Sequence, residues 1–110
     1  MQLDEATETA VRVRALYHQL EERFEGGRWS PKDDVLGLVN DVGALSRLVM
    51  ATEGRWVPEG DLPSQLSAKF AECLWWVLVL SDRLDVDISE AFNANMARIE
   101  TGLEASIAKS

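Results

Sequence analysis

A chain of 110 residues has the length of one domain, enough to bury a core but too short for a second catalytic domain. Apolar residues make up 46% and charged residues 27%, which excludes a low-hydrophobicity disordered segment. The formal charge of -8 has the wrong sign for tracking a phosphate backbone, so no nucleic-acid partner is expected.

Leu3, Ala6, Ala10, Val13, Tyr17, Leu20 and Phe24 recur at steps of three and four, the stripe of a first helix over 3–24. Gly26-Gly27 ends it. Ser30-Pro31 opens a second helix, with a capping hydroxyl, a proline at the first helical position and Asp33 in the positive first turn. Val35, Leu38, Val39, Val42, Leu45, Leu48 and Val49 keep helical spacing until Glu53-Gly54. A connector rich in glycine and proline follows over 55–63.

The third helix is expected over about 64–84, with Leu66, Phe70, Cys73, Leu74, Val77 and Leu80 on one stripe. Trp75, Trp76 and Val79 widen its apolar surface, which suits either a subunit interface or cover by the fourth helix. Its longest apolar run, Cys73 to Leu80, falls far short of the roughly 20 residues a membrane helix needs, so no span is expected. Asp87 caps a fourth amphipathic helix carrying Ile88, Phe92, Met96, Ile99 and Leu103. No segment reads as a strand. The expected architecture is an all-α bundle of four helices.

Cys73 is the only cysteine and has no disulfide partner, and the acidic start of the chain lacks a basic leader region, so a reducing cytoplasm is expected. Cys73 reads as a packing residue and His18, without a second ligand at useful spacing, as a surface histidine. Gly26-Gly27 lacks the lysine and serine of a phosphate loop. Polar residues that interrupt the apolar stripes are the candidates for chemistry: Asn40 and Asp41 on the second helix, Lys69 and Glu72 on the third. Inward acids on facing helices are one way to build a metal site, while solvated acids at the rim of a stripe are the common outcome.

Asn40-Asp41-Val42-Gly43-Ala44-Leu45, followed by Lys69-Phe70-Ala71-Glu72-Cys73-Leu74-Trp75, resembles the MazG-like all-α nucleoside triphosphate pyrophosphohydrolase family. The similarity covers most of the chain and includes the gap between Ala44 and Lys69, the aromatic stretch after Glu72 and the passage from Ser81 to Asp87. The family pattern is Glu-Glu-x-x-Glu on one helix and Glu-x-x-Asp on the next, and its acids hold magnesium against a triphosphate. Carried over position by position, Asn40, Ala44 and Lys69 stand where the family has glutamates, while Asp41 and Glu72 keep an acid.

The resemblance implies a single MazG-like domain over 1–110, completed as a homodimer, whose ancestral reaction converts a nucleoside triphosphate to the monophosphate and pyrophosphate. The depleted site at Asp41 and Glu72, lined also by Asn40, Ala44 and Lys69, implies weak or no activity, with magnesium the metal if any is held. Lys69, one turn from Glu72, is expected to act as an internal counter-ion in place of the metal. The pocket is expected to keep a nucleotide ligand. Asn95 and Arg98, three apart on the fourth helix, are candidate nucleotide contacts, against the ordinary reading of a register residue and a surface charge. Two alternatives are an active enzyme that recruits Glu53, Asp82 or Asp85, and a non-catalytic helical interaction module.

Overall fold

The computed structural model describes residues 2–110 and contains four α-helices, α1 (Leu3–Phe24), α2 (Pro31–Thr52), α3 (Leu62–Arg83) and α4 (Ile88–Lys109), with no strand among the described residues. Each has 22 residues, a rod of about 33 Å. The starts follow the capping chemistry read from the sequence. Ser30 Oγ accepts from the Asp33 amide at 3.4 Å while Asp33 Oδ2 accepts from the Ser30 amide at 2.9 Å, closing a capping box. Asp87 Oδ1 accepts from the Glu90 amide at 3.0 Å.

One boundary differs from expectation. The third helix begins at Leu62, capped by Asp61, whose Oδ2 accepts from the Ser64 amide at 3.1 Å. Pro63 therefore lies inside the first turn, where a missing N–H breaks no helical bond. The fourth helix runs to Lys109. Glycines turn the chain after the first two helices, Gly26 at φ +80° and Gly54 at φ +74°.

α2 and α3 form the principal pair, α1 lies against α3, and α4 touches only α1 and α3. The core is small. Ala10, Leu78 and Val79 are buried, with Leu3, Ala6, Trp75 and Ile88 packed around them. Trp76 and Leu80 extend it. Val79 and Trp76 are thus covered within the chain, and Trp75 donates its indole N–H to the Ala10 carbonyl at 3.2 Å. Cover within the chain comes from α1 and α2, where Ala10 accepts the Trp75 indole and Gly37 lies under Trp76, while α4 contributes only Ile88 to this core.

Gly37 shows how close the approach is. A Cβ at that position would lie 2.5 Å from Trp76 Cζ2 and 2.7 Å from its Cη2, so the indole rests on bare α2 backbone.

α4 departs from a closed bundle. Ile88, Ser89 and Ala91 are partly buried, and every residue from Phe92 onward is exposed. The radius of gyration is 17.6 Å over extents of 59 × 40 × 26 Å, against about 13 Å for a compact chain of this length. α2 also corrects the reading of the longest apolar run. With a mean hydropathy of 1.3 it is long and apolar enough to cross a membrane by composition. Its Asp34 is fully buried between arginines of α1 and α3, a pairing that ties this helix to its neighbours.

Gly37→Ala is expected to lower stability by about 1–3 kcal/mol through overpacking against Trp76, although alanine gains up to about 1 kcal/mol in helix propensity. Thermal unfolding followed by tryptophan fluorescence checks this, and an unchanged or higher midpoint contradicts the contact.

Candidate functional site

Val13, Tyr17, Leu20 and Phe24 lie along one side of α1 at the spacing that aligns a helical face, and all remain at least partly exposed. They form one wall of a cleft of about 820 Å³ whose other wall is Trp75 and Trp76 of α3, with Trp29 in the α1–α2 connection. That volume suits a small organic ligand. The aromatic rings are mutually fixed. Trp29 and Trp76 are nearly parallel, 9° between planes and 6.3 Å between centroids. Trp75 tilts against Trp76 at 4.6 Å and against Tyr17 at 5.5 Å.

Asp41, Lys69 and Glu72 meet at the cleft's edge. Lys69 Nζ lies 3.2 Å from Asp41 Oδ1 and 2.6 Å from Glu72 Oε2, bridging α2 and α3. The second Asp41 oxygen accepts the Trp76 indole N–H at 2.6 Å. Both oxygens of Asp41 are therefore engaged by protein donors. The hydrogen bond to Glu72, and then that to Asp41, holds the Lys69 ammonium above its ordinary pKa despite partial burial.

Beneath the cleft lies a buried ionic network. Arg14 donates to Glu21 Oε2 at 2.7 Å and to Asp34 Oδ1 at 2.9 Å. Arg83 donates to Asp34 Oδ2 at 2.7 Å and to the Trp29 carbonyl at 2.8 Å. Glu21 Oε1 accepts the Trp29 amide at 2.7 Å. Trp29 is thus held at both backbone groups, and the Arg14 guanidinium lies 5.9 Å and 6.0 Å from the Trp29 and Trp76 ring centroids. Burial alone would raise the Glu21 carboxyl, but the bonds from Arg14 and the Trp29 amide outweigh it and hold the pKa below 4.5.

The remaining candidates fall elsewhere. Ala44 lines a second, smaller hollow of about 540 Å³ together with Arg47 and Trp56, and Lys69 and Glu72 stand between it and the aromatic cleft. Asn40 is exposed and lines neither. Asn95 and Arg98 are exposed on α4, with Arg98 donating to Asn95 Oδ1 at 3.1 Å, and neither reaches the cleft. The reason is that α4 leaves the body of the domain after Ala91. Glu53, Asp82 and Asp85 are exposed and line neither hollow. Among the described residues, no three His, Cys, Asp or Glu side chains are grouped so as to hold a metal ion.

His18 is half-buried rather than on the surface, and its enclosed Nε2 has no hydrogen-bond partner. Burial, followed by the charge of Arg14, holds its pKa below 6.5. Cys73 is half-buried, and burial with the nearby Asp41 charge raises its thiol pKa, which disfavours a nucleophilic thiolate.

The sequence reading missed Arg14, Glu21, Asp34 and Arg83. A signal was present: Arg14 and Glu21 follow Ala10 at four and eleven residues, so both charges fall on the apolar face of α1. Asp34 gave none, since it stands beside the capping Asp33. Compared with protein-family models, with characterised proteins and with solved structures, the chain finds no significant match.

Asp34→Ala leaves Arg14 and Arg83 without their buried partner and is expected to cost about 3–5 kcal/mol, a large share of the 5–15 kcal/mol typical of a domain. Denaturant unfolding checks this, and a loss below about 1 kcal/mol contradicts a stabilising network.

The pH dependence follows from two opposite charge types. Below pH 6.5 the unfolded His18 takes up a proton that the folded one resists, so stability falls as pH drops below that value. The Glu21 contribution is fully present above 4.5 and is lost only as pH falls further, through the folded value. His18→Leu is expected to flatten the first loss and keep the second, as read from melting temperatures between neutral and acid pH.

Proposed function

We propose that this chain is a MazG-like helical domain in which Lys69 has taken the place of the metal, leaving a cleft that binds nucleosides rather than hydrolysing nucleoside triphosphates. The observation that carries this reading is the ammonium seated between Asp41 and Glu72, 3.2 Å from one and 2.6 Å from the other. Magnesium demands near-octahedral oxygen coordination at about 2.0–2.1 Å, whereas here one acid is saturated by Lys69 and Trp76 and the other is bridged by the same cation. Asp41 and Glu72 as they stand do not fit the ion.

The aromatic walls favour a planar ligand. Tyr17, Trp29 and Trp75 offer ring surface to a planar base, and base–aromatic stacking is worth about 1–3 kcal/mol. Around them, Glu21, Glu25, Asp41 and Glu72 outnumber Arg14 and Lys69. Without a metal, that excess of negative charge opposes a triphosphate and favours the uncharged nucleoside. The homodimer implied by the resemblance belongs to the same reading.

Titration of tryptophan fluorescence with nucleosides and the matching mono- and triphosphates is expected to show affinity falling as phosphates are added, with no effect of magnesium. Tyr17→Ala should weaken nucleoside binding at least about fivefold. Calorimetry of Lys69→Glu with Ala44→Glu should show magnesium or manganese binding at least about tenfold tighter, since one cation is removed and two anions are added within a few ångströms. Magnesium-dependent pyrophosphate release by the unaltered protein, abolished by chelator and by Asp41→Ala, would overturn the reading.

A further inference from the structure

The described chain exposes 7995 Å², whereas a compact monomer of 12.3 kDa is expected to expose about 6,100 Å². The surplus is about 1,900 Å² per chain, so two copies that each covered it would bury about 3,800 Å², within the range of obligate homodimers. Outside the cleft wall of α1, two separate apolar faces contribute to the surplus. On α4, Phe92, Met96, Ile99, Leu103 and Ile107 are 42–73% exposed and recur at steps of four, three, four and four. The second face belongs to the α2–α3 pair.

At 100° per residue, Val35, Val42 and Val49 lie roughly 100–140° around α2 from Gly37 and Asp41, the α2 residues that meet α3. Phe70, Leu74 and Val77 lie roughly 90–150° around α3, in the same sense, from Lys69 and Trp76, the α3 residues that meet α2. Because the two helices run antiparallel, both rotations lead to the same outer side of the pair, away from α1. All six side chains are exposed there. The two faces also match in length. Phe92 to Ile107 spans about 22 Å of helix, and Val35 to Val49 about 21 Å.

We infer that α4 is a docking arm for a second copy of this chain, its Phe92–Ile107 stripe lying on the partner's bare α2–α3 face while the partner's α4 lies on this one. The inference deepens the homodimer reading by naming its surfaces. A reciprocal pair satisfies both faces at once with one two-fold axis. One copy by itself leaves both faces in water, because α4 leaves the domain after Ala91.

Sedimentation velocity and light scattering on the unliganded protein, from about 1 to 100 µM, test this without any nucleotide, so the result stands apart from the reading of the cleft. The unaltered chain is expected at twice 12.3 kDa. Met96→Glu with Ile99→Glu on α4, and separately Val42→Glu with Phe70→Glu on the other face, should each weaken the dimer by more than about 100-fold, since each buries unpaired charge. All four side chains are exposed in one chain, so helicity by circular dichroism should be retained. Mixing the two variants should restore a dimer held by one intact arm-and-face contact, which neither variant has alone. A monomer at 100 µM overturns the inference, whether or not it floats with neutral phosphatidylcholine vesicles. A dimer that survives Val42→Glu with Phe70→Glu but not the α4 changes also overturns it, because α4 would then be pairing with α4.

Discussion

The Asp34 carboxylate, with no exposed surface, receives a guanidinium from α1 on one oxygen and from α3 on the other. Such a group is stable only while both arginines stay in place. It therefore fixes the start of α2 against two other helices, in a chain whose apolar core alone is slight. The same arginines reach outward. Arg83 holds the Trp29 carbonyl, and Glu21, paired to Arg14, holds the Trp29 amide. A loop tryptophan is thereby tied to two helices, and the aromatic cleft gets its third indole.

Above that network, one lysine sets the chemistry of the site. Lys69 supplies a positive charge bonded to two carboxylates on different helices, and Trp76 occupies the second oxygen of Asp41. Cleft and bridge share Trp76, whose ring faces Trp29 and whose N–H meets Asp41. The indole needs Gly37 beneath it. Packing of the α2–α3 pair and neutralisation of Asp41 are thus one structural solution.

The outer surface follows a different logic. Within one copy, apolar side chains of α2, α3 and α4 remain in water although their spacing is that of buried stripes. Half of each amphipathic pattern is answered inside the chain, by α1 on α3 and α2 on α3. The other half matches the apolar stripe of the chain's own fourth helix in length.

How much of this was legible in the amino-acid order depends on the range of the interaction. Ser30 with Asp33, and Asp87, announced helix starts because a cap acts across three residues, and the three-and-four spacing of apolar residues announced four helices for the same local reason. Asp61 was readable too, but Pro63 obscured it until the first turn was seen to accommodate a proline. The one-turn spacing of Lys69 and Glu72 was visible, whereas the reach to Asp41, 28 residues away, was not. Nor could the sequence separate Asp34 from Asp33, or show that Trp76 is covered by a glycine of α2 while α4 stands clear. Those outcomes rest on which faces of which helices meet, and pairing between distant segments is set by tertiary packing, where volume and charge must be satisfied together.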